Sequence, residues 1–279
     1  MLNDRIKEKY DTMSKTQKKI ANYVLQNVTD ASYLNVKKFS QFVGVSEASI
    51  IRFCEFLGYR GFIELKKELQ SLSKQENSMR ERVRKSYKAY GEKEAGVVDV
   101  FHDDILRIEN TLTKLDMESF FQACNEIVLA NHIYIIAFRS ANALGRFFQY
   151  YLNMALGNVT LISNDDCDVD GITKATPQDV VIGITFNRYT SRTVKLMEYS
   201  ANKGCKQIAI TDSTVSPIVK FSSFHFYAET SMPTYLDSFA APLTLINAFL
   251  TVIGRMRNVE LEYRVSELDQ FYKEFHVFE

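Results

Sequence analysis

Through residue 75 the apolar positions recur at helical spacing. Ile20, Tyr23, Val24 and Leu25 form one set and Phe39, Phe42 and Val43 a second. Ile50, Ile51, Phe53 and Leu57 follow, then Phe62, Leu65 and Leu69. Steps of three and four put such residues on one side of a helix, so this segment is predicted to be helices only. Ser14, with Gln17 three positions on, has the form of a capping box and starts a helix that runs to about Asn27. Residues 71–98 are polar and charged with few large apolar side chains, and 76–98 is read as a linker. Its basic run, Arg80, Arg82, Arg84, Lys85 and Lys88, is read as a solvated helix face, with phosphate contact as the alternative.

From about residue 99 the pattern changes. Short β-rich runs appear at His132–Phe138, Val159–Ile162, Val180–Phe186, Gln207–Thr211 and Phe224–Ala228. Several are almost continuously apolar, as strands buried on both faces of a parallel sheet are. Helix candidates lie between them at 141–156, 167–175, 190–203 and 215–222, and a last long helix is expected at about 239–257. Alternating β and α elements predict a doubly wound, five-stranded parallel sheet over 99–279, behind an all-helical domain at 1–75.

Charge sharpens this division. The net charge is zero, but residues 1–90 hold 18 Lys and Arg against 10 Asp and Glu, an excess of +8, and the remainder carries −8. A basic head on an acidic body suits nucleic-acid binding governed by a sensing or assembling body. No run of about 18 uncharged apolar residues is present, so a membrane span is not expected. The charged N-terminus lacks the apolar centre of a signal peptide, so a cytoplasmic protein is expected. The cysteines, Cys54, Cys124, Cys167 and Cys205, and the four histidines are scattered. Buried inert thiols are expected, with no metal site, disulfide framework or cofactor.

The stretch Lys37–Leu57 carries the most specific chemistry. Phe39, Phe42 and Val43 form the inner face of a first helix, Gly44 supplies the positive φ of a tight turn, and Val45 plugs the corner. Ser46 caps a second helix whose Ile50, Ile51, Phe53 and Leu57 turn inward. This is the spacing of a helix-turn-helix, in which the second helix enters the major groove. Its outward set is Ser46, Glu47 and Ser49, then Arg52 one turn later. Arginine can be bidentate to a guanine or a phosphate. Arg60, in the turn Gly58-Tyr59-Arg60-Gly61, and Lys66 are candidate phosphate contacts, as is Lys67.

The run GVSEASIIRFCEFLGYRGFIELKKEL resembles the N-terminal domain of the MurR/RpiR family of bacterial regulators. Gly44-Val45-Ser46, Ala48-Ser49-Ile50, Arg52-Phe53, Leu57-Gly58-Tyr59, Gly61-Phe62 and Leu65-Lys66 carry the match, as do Ser14, Gln17-Lys18 and Ile20-Ala21 upstream. The resemblance implies a sugar-isomerase-type (SIS) domain at the C-terminus, assembly as a homodimer or tetramer, and control of operator binding by a phosphorylated sugar.

In an open α/β sheet, ligands sit beyond the C-terminal ends of the strands. Polar loops fall there after the first strand (Arg139, Ser140), after the third (Asn187, Arg188, Tyr189, Thr190, Thr193) and after the fourth (Thr211-Asp212-Ser213). Hydroxyls, free amides and arginines at helix N-termini make an anion site. Ala137, Arg139 and Thr185–Tyr189 depart from the glycine- and serine-rich loops that the resemblance leads one to expect. They fit instead a branch with arginine in both loops. Ser238, before the last long helix, is expected by the resemblance to border the pocket, with helix capping as the alternative. The rival function is a sugar-phosphate isomerase with a helical extension, which needs a base beside a carbonyl. His225 is read as a core histidine and Glu229 as a solvated or ion-paired carboxylate, so a regulator rather than an enzyme is expected.

Overall fold

The computed structural model describes residues 2–76, 82–84, 90, 94–163 and 169–278. Arg80, Lys85, Lys88 and Cys167 lie outside the described residues. The chain divides into two compact units, one of residues 1–89 with 233–235 and one of 90–232 with 236–279.

The first unit is helical. Its helices are α1 (Leu2–Lys9), α2 (Lys15–Gln26), α3 (Val28–Tyr33), α4 (Val36–Val43), α5 (Glu47–Phe56) and α6 (Phe62–Glu76). Ser14 and Gln17 complete the capping box of α2 in both directions. Ile20, Val24, Phe39, Ile50, Phe53, Leu65 and Leu69 close a core at or near zero exposure. The Phe39 ring meets Tyr23 and Phe62 edge-on, with centroids 5.5 and 5.3 Å away. Phe42 departs from the expected inner face, because it is half exposed. It flanks Phe39 on the side opposite Val43, and the buried stripe takes in Phe39, Ser40 and Val43. Ile51 is likewise only partly buried.

The second unit begins with α7 (Glu94–Thr113) and α8 (Met117–Leu129). It continues β1 (Ile133–Ala137), α9 (Ala141–Leu156), β2 (Val159–Ile162), β3 (Val180–Ile184), α10 (Ser191–Asn202), β4 (Lys206–Thr211) and β5 (Phe224–Tyr227). It ends with α11 (Ala240–Met256) and α12 (Asn258–Glu274). The start of α7 falls inside the span expected as linker. All five strands are parallel, in the order β2-β1-β3-β4-β5; four lie within their predicted runs, and β4 starts one residue before its run, at Lys206. β1 is hydrogen-bonded on both sides, pairing Ile133 with Val159 and with Val180. Its side chains alternate between two cores. Ile133, Ile135 and Ala137 join α8, α9 and α11, whereas Tyr134, Ile136 and Phe138 join Met197 of α10. Gly145 allows α9 to approach closely, since a Cβ there would lie 2.6 Å from that of Ala137.

One expected helix is shorter than predicted: within 215–222 only Val219–Phe221 are helical, as a single 3-10 turn, because Pro217 disfavours helical backbone at Ser216 before it. In the helix expected at 167–175, Val169 and Asp170 are helical and Gly171–Lys174 continue as a 3-10 turn, while residues 167 and 168 lie outside the described residues. The C-terminal end has one helix more than expected, because α12 follows α11 almost at once. Among the described residues, no helix is long and apolar enough to cross a membrane.

Candidate functional site

The corner between α4 and α5 is built from backbone hydrogen bonds. Gly44 is left-handed (φ 68°, ψ 49°). Its N–H donates to Gln41 O at 3.1 Å, and that of Val45 to Ser40 O at 3.0 Å. This is the Schellman closure of a helix, and it needs a residue that tolerates positive φ. The Lys19 ammonium donates to Gly44 O at 3.4 Å. Ser46 then caps α5, accepting from Ser49 N at 3.2 Å, while the two hydroxyls share a bond of 2.9 Å. Two cations from α1 close the far end of α5. Arg5 donates to Leu57 O at 3.3 Å and Lys9 to Phe56 O at 2.6 Å, where helix carbonyls are left over. Arg5 also stacks over Tyr59, whose hydroxyl donates to Glu68 at 2.7 Å.

Ser46, Glu47 and Arg52 are exposed on one side of α5, with Ser49 partly buried beside them. Arg60 is exposed, and its backbone N–H donates to Glu64 at 2.7 Å, which fixes the turn before α6. Lys66 differs from expectation. It is partly buried, its ammonium donates to Tyr33 O at 3.4 Å, and burial lowers its pKa. Position 66 lies against the α3 side of α6, so the exposed lysine is Lys67. Lys19 contributes through tertiary packing, and its place beside the corner has no local sequence signal.

In the second unit the crossovers leave β1 toward β2 on one side and β3 toward β4 on the other. The chain therefore diverges beyond the C-terminal ends of β1 and β3, where a crevice opens. A small cavity of about 50 Å³ lies there. Arg139, Ser140 and Phe138 line it from the β1 side, and Thr185, Asn187, Arg188 and Thr190 from the β3 side. Both arginines have left-handed backbones, with φ 58° at Arg139 and 64° at Arg188. Such conformations are uncommon outside glycine and mark an over-determined backbone. Asn187 N donates to Asp212 at 3.0 Å and Arg188 N to the Asn187 side chain at 2.8 Å. Thr190 N donates to the Thr185 hydroxyl at 3.3 Å. Arg188 Nε is buried with no hydrogen-bond partner among the described residues.

Three expected ligand residues are not brought into this cavity. Tyr189 does not line it. Thr193 is fully buried beneath α10, because its place in the helical period turns it toward the sheet. Ser238 is 4% exposed and donates to Asp104 at 2.5 Å while accepting from Ala240 N at 3.2 Å. It therefore ties the segment before α11 to α7. The residues beside it, Asp237 and Phe239, line the cavity instead. That segment is non-local, and nothing in its sequence distinguishes 237 from 238.

The segment after β5 is stitched to α7 by polar groups. Arg107 is 7% exposed; its Nε donates to Ser231 O at 2.7 Å, and it pairs with Asp103 at 3.3 Å and Asp104 at 3.6 Å. The Tyr90 hydroxyl donates to Asp103 at 2.7 Å and, with Arg107, holds that carboxyl below its ordinary pKa. Asn110 donates to Glu229 at 2.9 Å. His225, expected in the core, is exposed on edge strand β5, where alternation buries Phe226 instead. Cys54, Cys124 and Cys205 are buried, and burial pushes the first two thiols up to about 12, so they are unreactive at neutral pH. No group of His, Cys, Asp and Glu able to hold a metal ion occurs among the described residues.

Comparison with known proteins follows this division of the chain. The family model described as "Helix-turn-helix domain, rpiR family" matches residues 1–76, and that of the SIS domain matches 126–252. An uncharacterised HTH-type transcriptional regulator of Caldanaerobacter subterraneus is 24% identical over 272 residues, covering 90% of each chain. The HTH-type transcriptional regulator HexR of Pseudomonas aeruginosa is 22% identical, covering 94% of this chain and 92% of that one. Among solved structures, Vibrio vulnificus NanR complexed with ManNAc-6P superposes with a TM-score of 0.65 at 17% identity, covering 99% of both chains. The sugar isomerase domain of an RpiR transcription factor from Sphaerobacter thermophilus gives 0.60 at 24% identity, covering 62% of this chain and 97% of that one.

Proposed function

Because the chain is a transcriptional regulator of the RpiR family, a helix-turn-helix head with a SIS domain behind it, we propose that a small anionic metabolite, a sugar phosphate, controls its grip on an operator. The observation that carries this reading is the pair of arginines held on left-handed backbone on both sides of the crevice between β1 and β3. Ser140, Asn187 and Thr190 add hydrogen-bonding groups beside them. An anion there meets two guanidiniums and the N-terminal ends of α9 and α10. The phosphosugar named with Vibrio vulnificus NanR supports the choice of class.

In the head, α5 is the reading helix. Arg52 contacts a base edge or phosphate from its exposed side, with Ser46, Glu47 and Ser49 at the groove, and Arg60 clamps the backbone. The protein works in the cytoplasm as a homodimer or tetramer on a palindromic site, since paired heads read paired half-sites. It is not an enzyme in this reading: its relatives carry the names of regulators, and one carboxylate and no histidine lie among the residues lining the cavity. Asp237 is that carboxylate.

A panel of sugar phosphates tests the reading by thermal shift and by release from operator DNA. At least one is expected to raise the melting temperature and change operator affinity, with no product formed. Conversion of any of them at enzymatic rates would overturn the regulator reading of the cavity. No response to any sugar phosphate would remove that effector class.

A further inference from the structure

The helix that opens the second unit has its polarity reversed. The face of α7 turned toward its own unit is polar: Arg107 and Thr111 are its buried residues, and Asp103, Asp104 and Asn110 tie that side to neighbouring polar groups. The opposite face is apolar. Val98, Phe101, Ile105, Ile108 and Leu112 follow one another at alternating steps of three and four. Phe101 is 67% exposed, Leu112 58% and Ile105 53%, and Val97 and Leu106 flank the row in the open.

A row with that spacing is the seam of a helix pair, in which each side chain fits between residues of the facing helix. It is also self-complementary, as a two-fold contact requires of a surface that meets its own copy. Its size agrees. Val97, Val98, Phe101, Ile105, Leu106 and Leu112, half to two-thirds exposed, offer roughly 600 Å² per copy, so a pair hides about 1,200 Å², the lower bound of stable interfaces. The apolar face of a helix normally turns to its own core, and this one is left exposed.

We propose that the outward face of α7 is where two copies of this chain pair, Phe101, Ile105 and Ile108 of each packing against the same residues of the other. The proposal deepens the paired-head reading above by naming the surface that makes the pair.

Sedimentation of the full-length protein at micromolar concentration tests it. The parent chain is expected as a dimer or larger, and the double variant Phe101→Glu/Ile105→Glu at half the dimer mass with unchanged helical circular dichroism. Leu129→Glu, at a still more exposed leucine on α8, is expected to leave the assembly intact. A double variant that stays dimeric overturns this surface and leaves paired heads standing, whereas a monomeric parent overturns both. If the double variant does not fold, a cysteine scan decides. Under mild oxidation, Val98→Cys, Ile105→Cys or Leu112→Cys is expected to form a covalent dimer absent from the parent. No new dimer at any of the three positions overturns the proposal.

Discussion

Arg139 and Arg188 show what a single residue can be asked to hold. A left-handed backbone costs an L side chain about 1–2 kcal/mol. Both loops retain it with arginine where glycine would relieve it. Two substitutions at 188 are therefore expected to separate. Arg188→Ala keeps the strain and loses the charge, and Arg188→Gly loses both. Each is expected to abolish the effector-induced thermal shift. Arg188→Gly is expected to be no less stable than Arg188→Ala without ligand, despite the added freedom glycine brings to the unfolded chain. A retained shift in both would remove Arg188 from the effector site. At Gly44 the same physics runs the other way. Gly44→Ala forces a Cβ onto φ 68° and is expected to cost about 1 kcal/mol, or ~4–8 °C in the melting of the head, read by calorimetry. The sequence made these positions legible because strand, loop and helix follow one another locally. Asp237 was not legible: it reaches the cavity from the segment before α11, and only the folded chain places it, rather than Ser238, against the loops after β1 and β3.

Among the elements, the strands were the easiest to read, because burial on both faces demands apolar residues without interruption. The helix α12 was hidden for the opposite reason. None of its residues is buried, so its apolar positions follow no clean stripe. The reading helix α5 was legible from its caps and glycine turn. Arg52→Ala is expected to weaken specific operator binding by about 1–3 kcal/mol if Arg52 reads a base, with little change on random DNA. An equal loss on both, measured by fluorescence anisotropy, would assign it to the phosphate backbone. The polar stitch on α7 depends on Arg107. Arg107→Leu takes the ion-pair partner from Asp103 and Asp104, leaving them the Tyr90 and Ser238 hydroxyls, removes the Nε donor from the Ser231 carbonyl, and is expected to cost about 2 kcal/mol in chemical denaturation. The stitch also has a pH signature. The Asp103 carboxyl is held below its ordinary range, first by the Tyr90 hydroxyl and then by Arg107. Its stabilisation is therefore full above that range and lost as pH falls through the depressed value. Asp103→Asn is expected to flatten the acid limb of the stability profile, and an unchanged limb would show that the contact contributes nothing.

At the scale of the whole molecule the charge division has a measurable consequence. A basic segment such as residues 1–90, with an excess of +8, releases counterions when it neutralises phosphates, so affinity is expected to fall linearly with the logarithm of salt, at about −0.9 per phosphate contacted. Arg60→Ala is expected to lower that slope by about one unit; an unchanged slope would leave Arg60 off the DNA. The division into head and body was legible in sequence because both charge and periodicity change between residues 75 and 99. The order of elements along the chain also sets an order in time. The helices through α6 contain their own core, whereas the cavity needs the loops after β1 and β3 and then Asp237, near the end. A ribosome adding ~5–20 residues per second needs roughly 8–32 s to go from the end of α6 to Asp237. During every round of synthesis, the DNA-reading surface is thus complete for many seconds before the receptor that governs it exists.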